Sequence, residues 1–175
     1  MDVTRQIDVV DEIVDDVREH FPDLEVTGLP ITGRILRLCR FLETRREEQL
    51  AQFGLTLGDF DMLATMRRRA ADRPINIREL QRSLMLSSGG TTKRLDRLED
   101  AGLIERLPDP TDRRGVLIGL SPAGRAVIDQ AVPAITSYET TMVAAAIDSA
   151  TARVAVEDGL RQMLIAQETT NAETR

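Results

Sequence analysis

The chain has 175 residues, of which 42% are hydrophobic, 30% are charged and only 3% are aromatic. This length suits one domain of ordinary size or a small domain with an oligomerisation extension. One cysteine, Cys39, excludes an intrachain disulfide framework, and one histidine, His20, leaves too few ligands for a zinc site. No apolar run approaches the ~20 residues that span a bilayer, and the first residues lack a basic and apolar leader. We therefore expect a mainly helical, cytoplasmic protein.

Charge is distributed unevenly along the chain. Residues 66–125 contain 13 basic and 8 acidic side chains, which gives a net charge of +5. The whole chain carries −6, so the remainder carries −11. A basic middle between acidic flanks favours a module that binds a polyanion. Ordinary variation along a helical protein is the alternative.

The first half of the chain has the spacing of amphipathic helices. Apolar residues three or four apart predict a helix over residues 4–21, followed by a linker to residue 27. Pro30 suits a first helical turn and Gly54 suits a helix end, so a second helix is predicted from Pro30 to about Phe53. Its apolar residues repeat every 3.5 residues, the spacing of a helix–helix seam: Ile31, Ile35, Leu38 and Leu42.

The middle of the chain alternates short helices with two strands. Thr56 and Asp59 resemble a capping box that opens a helix through Arg69, and Asn76 caps a short helix after Pro74. Hydroxyl and glycine residues at 87–92 precede a further helix that ends at Gly102. Its inward side chains are predicted to be Thr91, Leu95 and Leu98. Residues 103–107 and 115–120 alternate as strands do, with a turn-rich loop between them.

Two helices are predicted at the C-terminal end. Ser121 and Pro122 form an N-cap and first helical position, which open a long helix that Pro133 should bend. Asp148 and Ser149 open a last helix that is predicted to end near Gln167.

A short helix, a tight turn, a second helix with outward basic residues and an arginine-tipped hairpin together predict a winged helix-turn-helix. The second helix would fit the major groove, which is about 12 Å wide. Small residues at its start allow the backbone to approach phosphates, which the positive helix end attracts. The hairpin tip can place a guanidinium group in the narrower minor groove. The predicted partner is double-stranded DNA.

Residues 55–125 resemble the MarR (multiple antibiotic resistance regulator) family of bacterial transcription factors. Residues 109–124 match the family's wing, with Asp-x-Arg at 112–114, a strand, and Leu-Ser-x-x-Gly at 120–124. Residues 94–104 match the end of its recognition helix. The resemblance implies a dimeric winged helix-turn-helix fold, mainly α with a small two- to three-stranded β wing. It also implies a ligand-responsive repressor that binds a pseudo-palindromic operator as a homodimer.

The resemblance implies a set of DNA-binding residues. Arg114 would enter the minor groove, while Asp112 orients the wing. The other residues expected to contact DNA are Ser88, Thr91, Thr92, Arg94, Arg97, Arg113 and Arg78. For Arg94 and Arg97 the alternative is an ion pair within the helix with Asp96 and Glu99.

The extra N-terminal helix resembles the urate-responsive branch of the family. In that branch a Trp on the added helix, an Asp and two Arg shape the effector site. The corresponding residues here are Val17, Asp61, Arg94 and Arg106. Because the chain has no Trp, the expected effector is a different small anionic or aromatic molecule, or none. For Asp61 the alternative is a surface carboxylate paired with an arginine.

Cys39 and His20 carry weaker expectations. Peroxide-sensing members of the family use a reactive cysteine on the first dimer helix, but Cys39 lies roughly two helical turns from that place. We therefore expect a buried structural cysteine. His20 is expected to cap a helix end or to face solvent. No cofactor, metal site or membrane partner is predicted.

The predicted organisation has four parts. They are an N-terminal helix and linker (1–27), a dimerisation helix (28–54), a winged helix-turn-helix domain (55–120) and C-terminal dimerisation helices (121–175). The sequence contains no P-loop, nucleophile elbow or glycine-rich dinucleotide turn, so an enzyme is not expected. The alternative to a regulator is a winged-helix protein-interaction module without sequence-specific DNA binding.

Overall fold

The computed structural model describes residues 6–70, 73–84, 90–112 and 115–173. Within these ranges the helices are α1 (Val9–His20), α2 (Leu29–Ala51), α3 (Leu57–Ala70), α4 (Ile77–Ser83), α5 (Thr91–Asp100), α6 (Pro122–Ala146) and α7 (Ala150–Glu173). The strands are β1 (Ile75–Asn76), β2 (Ile104–Pro108) and β3 (Val116–Leu120). The expected mainly α fold with a small β wing is confirmed. Contacts divide the chain into two compact units, residues 1–128 and 129–175.

None of the helices in the described ranges is long and apolar enough to cross a membrane.

Helix α1 begins later than predicted, because Asp8 forms its N-cap. The Asp8 carboxylate accepts hydrogen bonds from the N–H groups of Val10 and Asp11, and the Asp11 carboxylate accepts one from the Asp8 N–H. This capping box fixes the helix start at Val9. Val10 and Val14 are buried, as the periodicity predicted, whereas Ile7 lies before the cap and is exposed.

Helix α1 packs on α2 through a glycine and an arginine. The Cβ atom that a larger residue would carry at Gly33 would lie 3.0 Å from a methyl carbon of Val10. The next residue, Arg34, bonds to Asp8 at 2.9 Å and to Asp11 at 2.8 Å. The pKa of Arg34 is raised by its hydrogen bonds to Asp11 and then Asp8. The same arginine thus binds both carboxylates of the α1 cap.

The corner between α2 and α3 follows the predicted signals. Gly54 adopts a left-handed conformation with φ of 67°, and the N–H of Leu55 donates to Leu50 O at 3.2 Å. Thr56 and Asp59 then form the predicted capping box, since each side chain accepts a bond from the other's backbone N–H. The core of the first unit contains these fully buried side chains: Leu50, Met62, Leu63, Thr65, Met66, Leu80, Leu95, Ile118 and Ile128.

The sheet contains a strand that sequence patterning missed. Strand β1 has two residues and pairs antiparallel with β3, with Ile75 opposite Ile118. Strand β3 also pairs antiparallel with β2, so the order is β1-β3-β2. Two residues are too few to show a period of two, and only the pairing with β3 defines this strand.

Helix α6 is fixed to the end of α5 by its N-cap. Ser121 Oγ donates to Gly102 O at 2.6 Å and accepts from Gly124 N at 2.9 Å. Ser121 N donates to Leu103 O at 3.1 Å. A Cβ atom at Gly124 would overlap that same carbonyl oxygen. The Ser-x-x-Gly spacing therefore permits a backbone approach that only glycine allows.

The second unit contains the rest of α6 and α7. Helix α6 continues through Pro133, and Arg153 donates to Ile147 O at 2.6 Å across the turn between the helices. Helix α7 extends to Glu173, so the prediction that it ends near Gln167 is wrong. It exposes a series of large apolar side chains: Val154, Val156, Leu160, Met163, Leu164 and Ile165.

Candidate nucleic-acid interface

Helix α5 has one buried face and one exposed polar face. Leu95 and Leu98 are buried in the core with Thr91, as predicted. Thr91 was also predicted to contact DNA, but only 3% of its surface is exposed. Its side chain is part of the core and is not available to a base edge, so this burial contradicts the predicted DNA contact of Thr91. Thr92 and Lys93 are exposed at the start of the helix.

The side chain of Arg97 binds to α3 instead of to its own helix. Its Nη2 atom bonds to Asp59 Oδ1, and it donates to Thr56 Oγ1 at 3.0 Å. Asp59 is 3% exposed, whereas the side chain of Arg97 is 53% exposed. The alternative of an ion pair with Asp96 or Glu99 is therefore wrong for Arg97.

Asp96 and Glu99 bind the wing instead. Arg106 on β2 approaches Asp96 Oδ1 at 2.5 Å and Glu99 Oε2 at 2.8 Å. The hydrogen bond to Asp96 is the largest cause that raises the pKa of Arg106. This pair of contacts ties β2 to the outer face of α5. Arg94 does not contact these carboxylates. Its guanidinium group lies against α3, in the space that a side chain at Gly58 would occupy.

Helix α4 contributes two exposed arginines. Arg78 and Arg82 lie one turn apart on α4 and line a cleft with the base of the wing, with a volume of about 730 Å³. Arg68 of α3 instead donates to Ser83 O at 3.2 Å, at the end of α4. We assign Arg78 and Arg82 to the candidate interface and Arg68 to the support of α4.

Asp109 organises the base of the wing. Its carboxylate accepts hydrogen bonds from Thr111 N at 2.8 Å and Thr111 Oγ1 at 2.7 Å. The Thr111 side-chain bond is the largest cause that lowers the pKa of Asp109. A Cβ atom at Gly115 would stand 2.7 Å from that of Asp109 and 3.1 Å from that of Asp112. Sequence reasoning assigned no role to Asp109, although Asp-x-Thr is a turn signature that could have found it.

Three predicted DNA-binding residues, Ser88, Arg113 and Arg114, lie outside the described residues. Asp112, which precedes the last two, is exposed, and its backbone oxygen accepts a bond from Gly115 N at 2.8 Å.

The predicted effector residues are distributed over four elements, α1, α3, α5 and β2. Val17 is half-buried on α1, which packs against α2. Asp61 is 8% exposed on α3, so the alternative of a surface carboxylate is wrong. It lies one turn beyond Gly58, which the Arg94 guanidinium group covers. Arg106 is held by its two carboxylates on α5.

Cys39 differs from its prediction. It is exposed on α2, so the expectation of a buried cysteine is wrong for the single chain. His20 is exposed at the end of α1, and its Nδ1 atom lies 2.9 Å from Asp16 O. No group of three or more His, Cys, Asp or Glu residues within the described ranges could hold a metal ion.

The comparisons with known proteins identify this architecture. The model of the MarR family matches residues 55–116. The transcriptional regulator PecS of Dickeya dadantii is 36% identical over 123 residues, which cover 70% of this chain and 74% of PecS. The chain belongs to the MarR family. It is a DNA-binding transcriptional regulator and not an enzyme, and the protein-interaction alternative is not favoured.

Two solved MarR-family structures add context. A mutant of MarR from E. coli in complex with operator DNA has a TM-score of 0.66 and 27% identity, over 85% of this chain and 97% of that chain. BpsR of Bordetella bronchiseptica has a TM-score of 0.58 and 25% identity, over 74% and 98%. The BpsR structure concerns regulation of its DNA binding by 6-hydroxynicotinic acid.

Proposed function

We propose that this MarR-family regulator binds a pseudo-palindromic operator as a homodimer and is released from it by a small anionic or aromatic effector. The observation that carries the proposal is the exposed polar face of α5, flanked by exposed arginines on α4. A helix of this kind fits the major groove, and a two-fold pair of such helices matches half-sites about 34 Å apart.

The proposed DNA contacts fall into two groups. The contacts that we propose with the major groove and its phosphates come from α4, from α5 and from the residues between them: Arg78, Ser88, Thr92 and Arg94. On the wing, we propose that Arg114 enters the minor groove, that Arg113 also contacts DNA and that Asp112 orients the wing. Phosphate contacts supply most of the affinity and contacts with base edges supply specificity.

Exposed apolar surface supports the homodimer. Ile31, Leu36, Leu38 and Phe41 are all more than half exposed on α2, and α7 exposes its own apolar series. Isolated exposed apolar residues are ordinary, but contiguous apolar surface marks an interface. We propose that α2, α6 and α7 form the dimer, within the division into segments 1–27, 28–54, 55–120 and 121–175. Sedimentation should then give twice the chain mass of 19.5 kDa.

The proposed effector site uses Asp61, Arg94, Arg106 and Val17. An anionic aromatic ligand would compete with Asp96 and Glu99 for Arg106 and would draw Arg94 away from Gly58. Arg94 lies on α5, and Arg106 binds two carboxylates of α5. Ligand binding would therefore change the separation of the two recognition helices. The regulation of BpsR by 6-hydroxynicotinic acid, an aromatic acid, supports this chemical class.

The variant Arg114→Ala tests the proposed function by mobility shift with genomic fragments. We expect operator binding to weaken by about 1–3 kcal/mol, and the salt dependence of log K to become shallower by about 0.9. The matched control Arg18→Ala removes the same charge from α1, where Arg18 pairs with Asp15, and should bind as the wild type does. Unchanged affinity of Arg114→Ala would remove the wing from the mechanism.

An effector titration completes the test. Aromatic carboxylates added to the preformed complex should release the DNA in a saturable manner, and the variant Arg106→Gln should require more ligand. Binding to duplex DNA that no aromatic acid alters would reject the effector and leave the DNA-binding role intact.

A further inference from the structure

Asp59 is a nearly buried carboxylate in the first turn of α3. It accepts hydrogen bonds from Thr56 N at 3.0 Å and from Thr56 Oγ1 at 2.7 Å. Only 5% of its side chain is exposed. The arginines of α3 itself lie in the last turn of that helix, at the end opposite Asp59. A buried carboxylate requires both hydrogen bonds and a cation to offset its lost hydration.

Arg97 supplies that cation from α5. Its Nη2 atom bonds to Asp59 and also donates to Thr56 Oγ1. Arg97 lies 38 residues from Asp59 in sequence, so the contact joins two elements and does not stabilise α5 locally. Arg94, one turn earlier on the same side of α5, lies across Gly58. Two arginines of the recognition helix therefore contact the first turn of α3.

The first turn of α3 directly follows the end of α2. Leu55, which separates Gly54 from the capping box, is 5% exposed, and its N–H bonds back to Leu50. Asp59 is thus held in a corner whose backbone is fixed on both sides. A side chain of α5 that binds here takes its position from the α2–α3 corner.

We propose that Arg97 is a positioning residue for operator binding, which seats α5 against the α2–α3 corner through Asp59 and Thr56 and does not itself contact DNA. This inference rests on the proposed function. If Arg97 moved to a phosphate, Asp59 would remain buried without its cation, and a solvent-exposed phosphate contact returns less than that loss.

The salt dependence of operator affinity separates positioning from direct contact. The slope of log K against log salt counts neutralised phosphates, at about 0.9 per phosphate. A positioning residue changes affinity and leaves this slope unchanged. A phosphate-binding arginine changes both.

The experiment is a double-mutant cycle with Arg97→Gln, Asp59→Asn and the double variant, each titrated with operator and with unrelated duplex at several salt concentrations. We expect each single variant to bind operator about 10-fold more weakly, with an unchanged slope. The double variant should bind no more weakly than either single variant, because both remove the same link. The control Arg78→Gln, a proposed phosphate contact on α4, should lower the slope by about 0.9.

Several results would overturn the inference. They are a slope reduced by about 0.9 in Arg97→Gln, wild-type affinity in that variant, additive losses in the double variant, and tighter binding by Asp59→Asn, which would mean that Asp59 withholds Arg97 from DNA. Circular dichroism at the assay temperature checks that each variant is folded. If Asp59→Asn unfolds, the slope and affinity of Arg97→Gln decide alone. Failure of the wild type to bind any duplex would reject the proposed function instead.

Discussion

Replacing Gly124 with alanine is expected to lower the free energy of unfolding of the first unit by more than the ~0.5 kcal/mol that is usual for a surface substitution. The new Cβ atom would overlap Leu103 O and lie 2.8 Å from the carbonyl carbon of Leu103 and 3.2 Å from its Cα atom. These are backbone atoms, and Leu103 O is already held by Ser121 N. The clash therefore cannot be relieved by rotation of a side chain.

The expected cost follows from the two effects that the clash forces. Overpacking in a close contact costs about 1–3 kcal/mol. Moving α6 away from Leu103 also weakens the hydrogen bonds that Ser121 donates to Gly102 O and Leu103 O, each with a net contribution of about 0.5–1.5 kcal/mol. We expect a loss of about 3 kcal/mol in the free energy of unfolding, which lowers the melting temperature by about 6–12 °C in a chain of this size.

Urea and thermal unfolding followed by circular dichroism measure this loss, at one protein concentration because dimerisation contributes to stability. The matched control is Gly159→Ala on α7, where a Cβ atom meets nothing within 4 Å. That variant should gain about 0.5–1 kcal/mol, since glycine inside a helix is unfavourable. A Gly124→Ala protein within 0.5 kcal/mol of the wild type would refute the reasoning.

Two further predictions concern charged contacts. The first is Arg106→Gln, which removes the contacts of β2 with Asp96 and Glu99 on α5. We expect a loss of about 1 kcal/mol in the free energy of unfolding, measured with urea, and weaker operator binding, measured by mobility shift. An unaltered operator affinity would contradict the role of the contact between Arg106 and α5. The second prediction concerns the pKa of Asp8. Desolvation raises this pKa, but the hydrogen bonds from Val10 N–H and Arg34 lower it by more, so that it lies below the ordinary 3.8. The attachment of α1 is therefore expected to persist above that value and to weaken as the pH falls through the lowered pKa, which hydrogen exchange of the α1 amides measures; Asp8→Asn should abolish this dependence, and an equal dependence in that variant would contradict it.

Local signals in the sequence were sufficient for most of the helices and for the wing. Gly54, Asn76 and Gly102 act on the residues beside them, so the helix ends near them could be predicted from short segments. Helix α1 begins later than the apolar spacing predicts, because Asp8 forms its N-cap and apolar spacing does not reveal a cap. Strand β1 could not be predicted, because its two residues are defined only by pairing with β3.

The candidate site was harder to predict, since its polar side chains are bound across elements. Proximity in the sequence suggested Asp96 and Glu99 as partners for Arg97, but residues one or two positions apart on a helix do not face each other. In the fold these carboxylates bind Arg106, and Arg97 binds Asp59. Local spacing cannot reveal these contacts, because Arg97 and Asp59 lie 38 residues apart and meet only when the chain folds.

The contacts that hold α5 differ in their exposure, and this difference bears on how the regulator could respond to a ligand. Arg106 meets its carboxylates at the surface, where water and salt screen ion pairs, and it is a proposed effector residue. Asp59 is buried, so its bond to Arg97 resists both screening and exchange. A small anion can therefore compete for Arg106 at low cost. This competition would release β2 from α5 and let the two recognition helices change their separation, while Arg97 still links α5 to α3. Regulation through the exposed tie and positioning through the buried one would then use separate arginines of the same recognition surface.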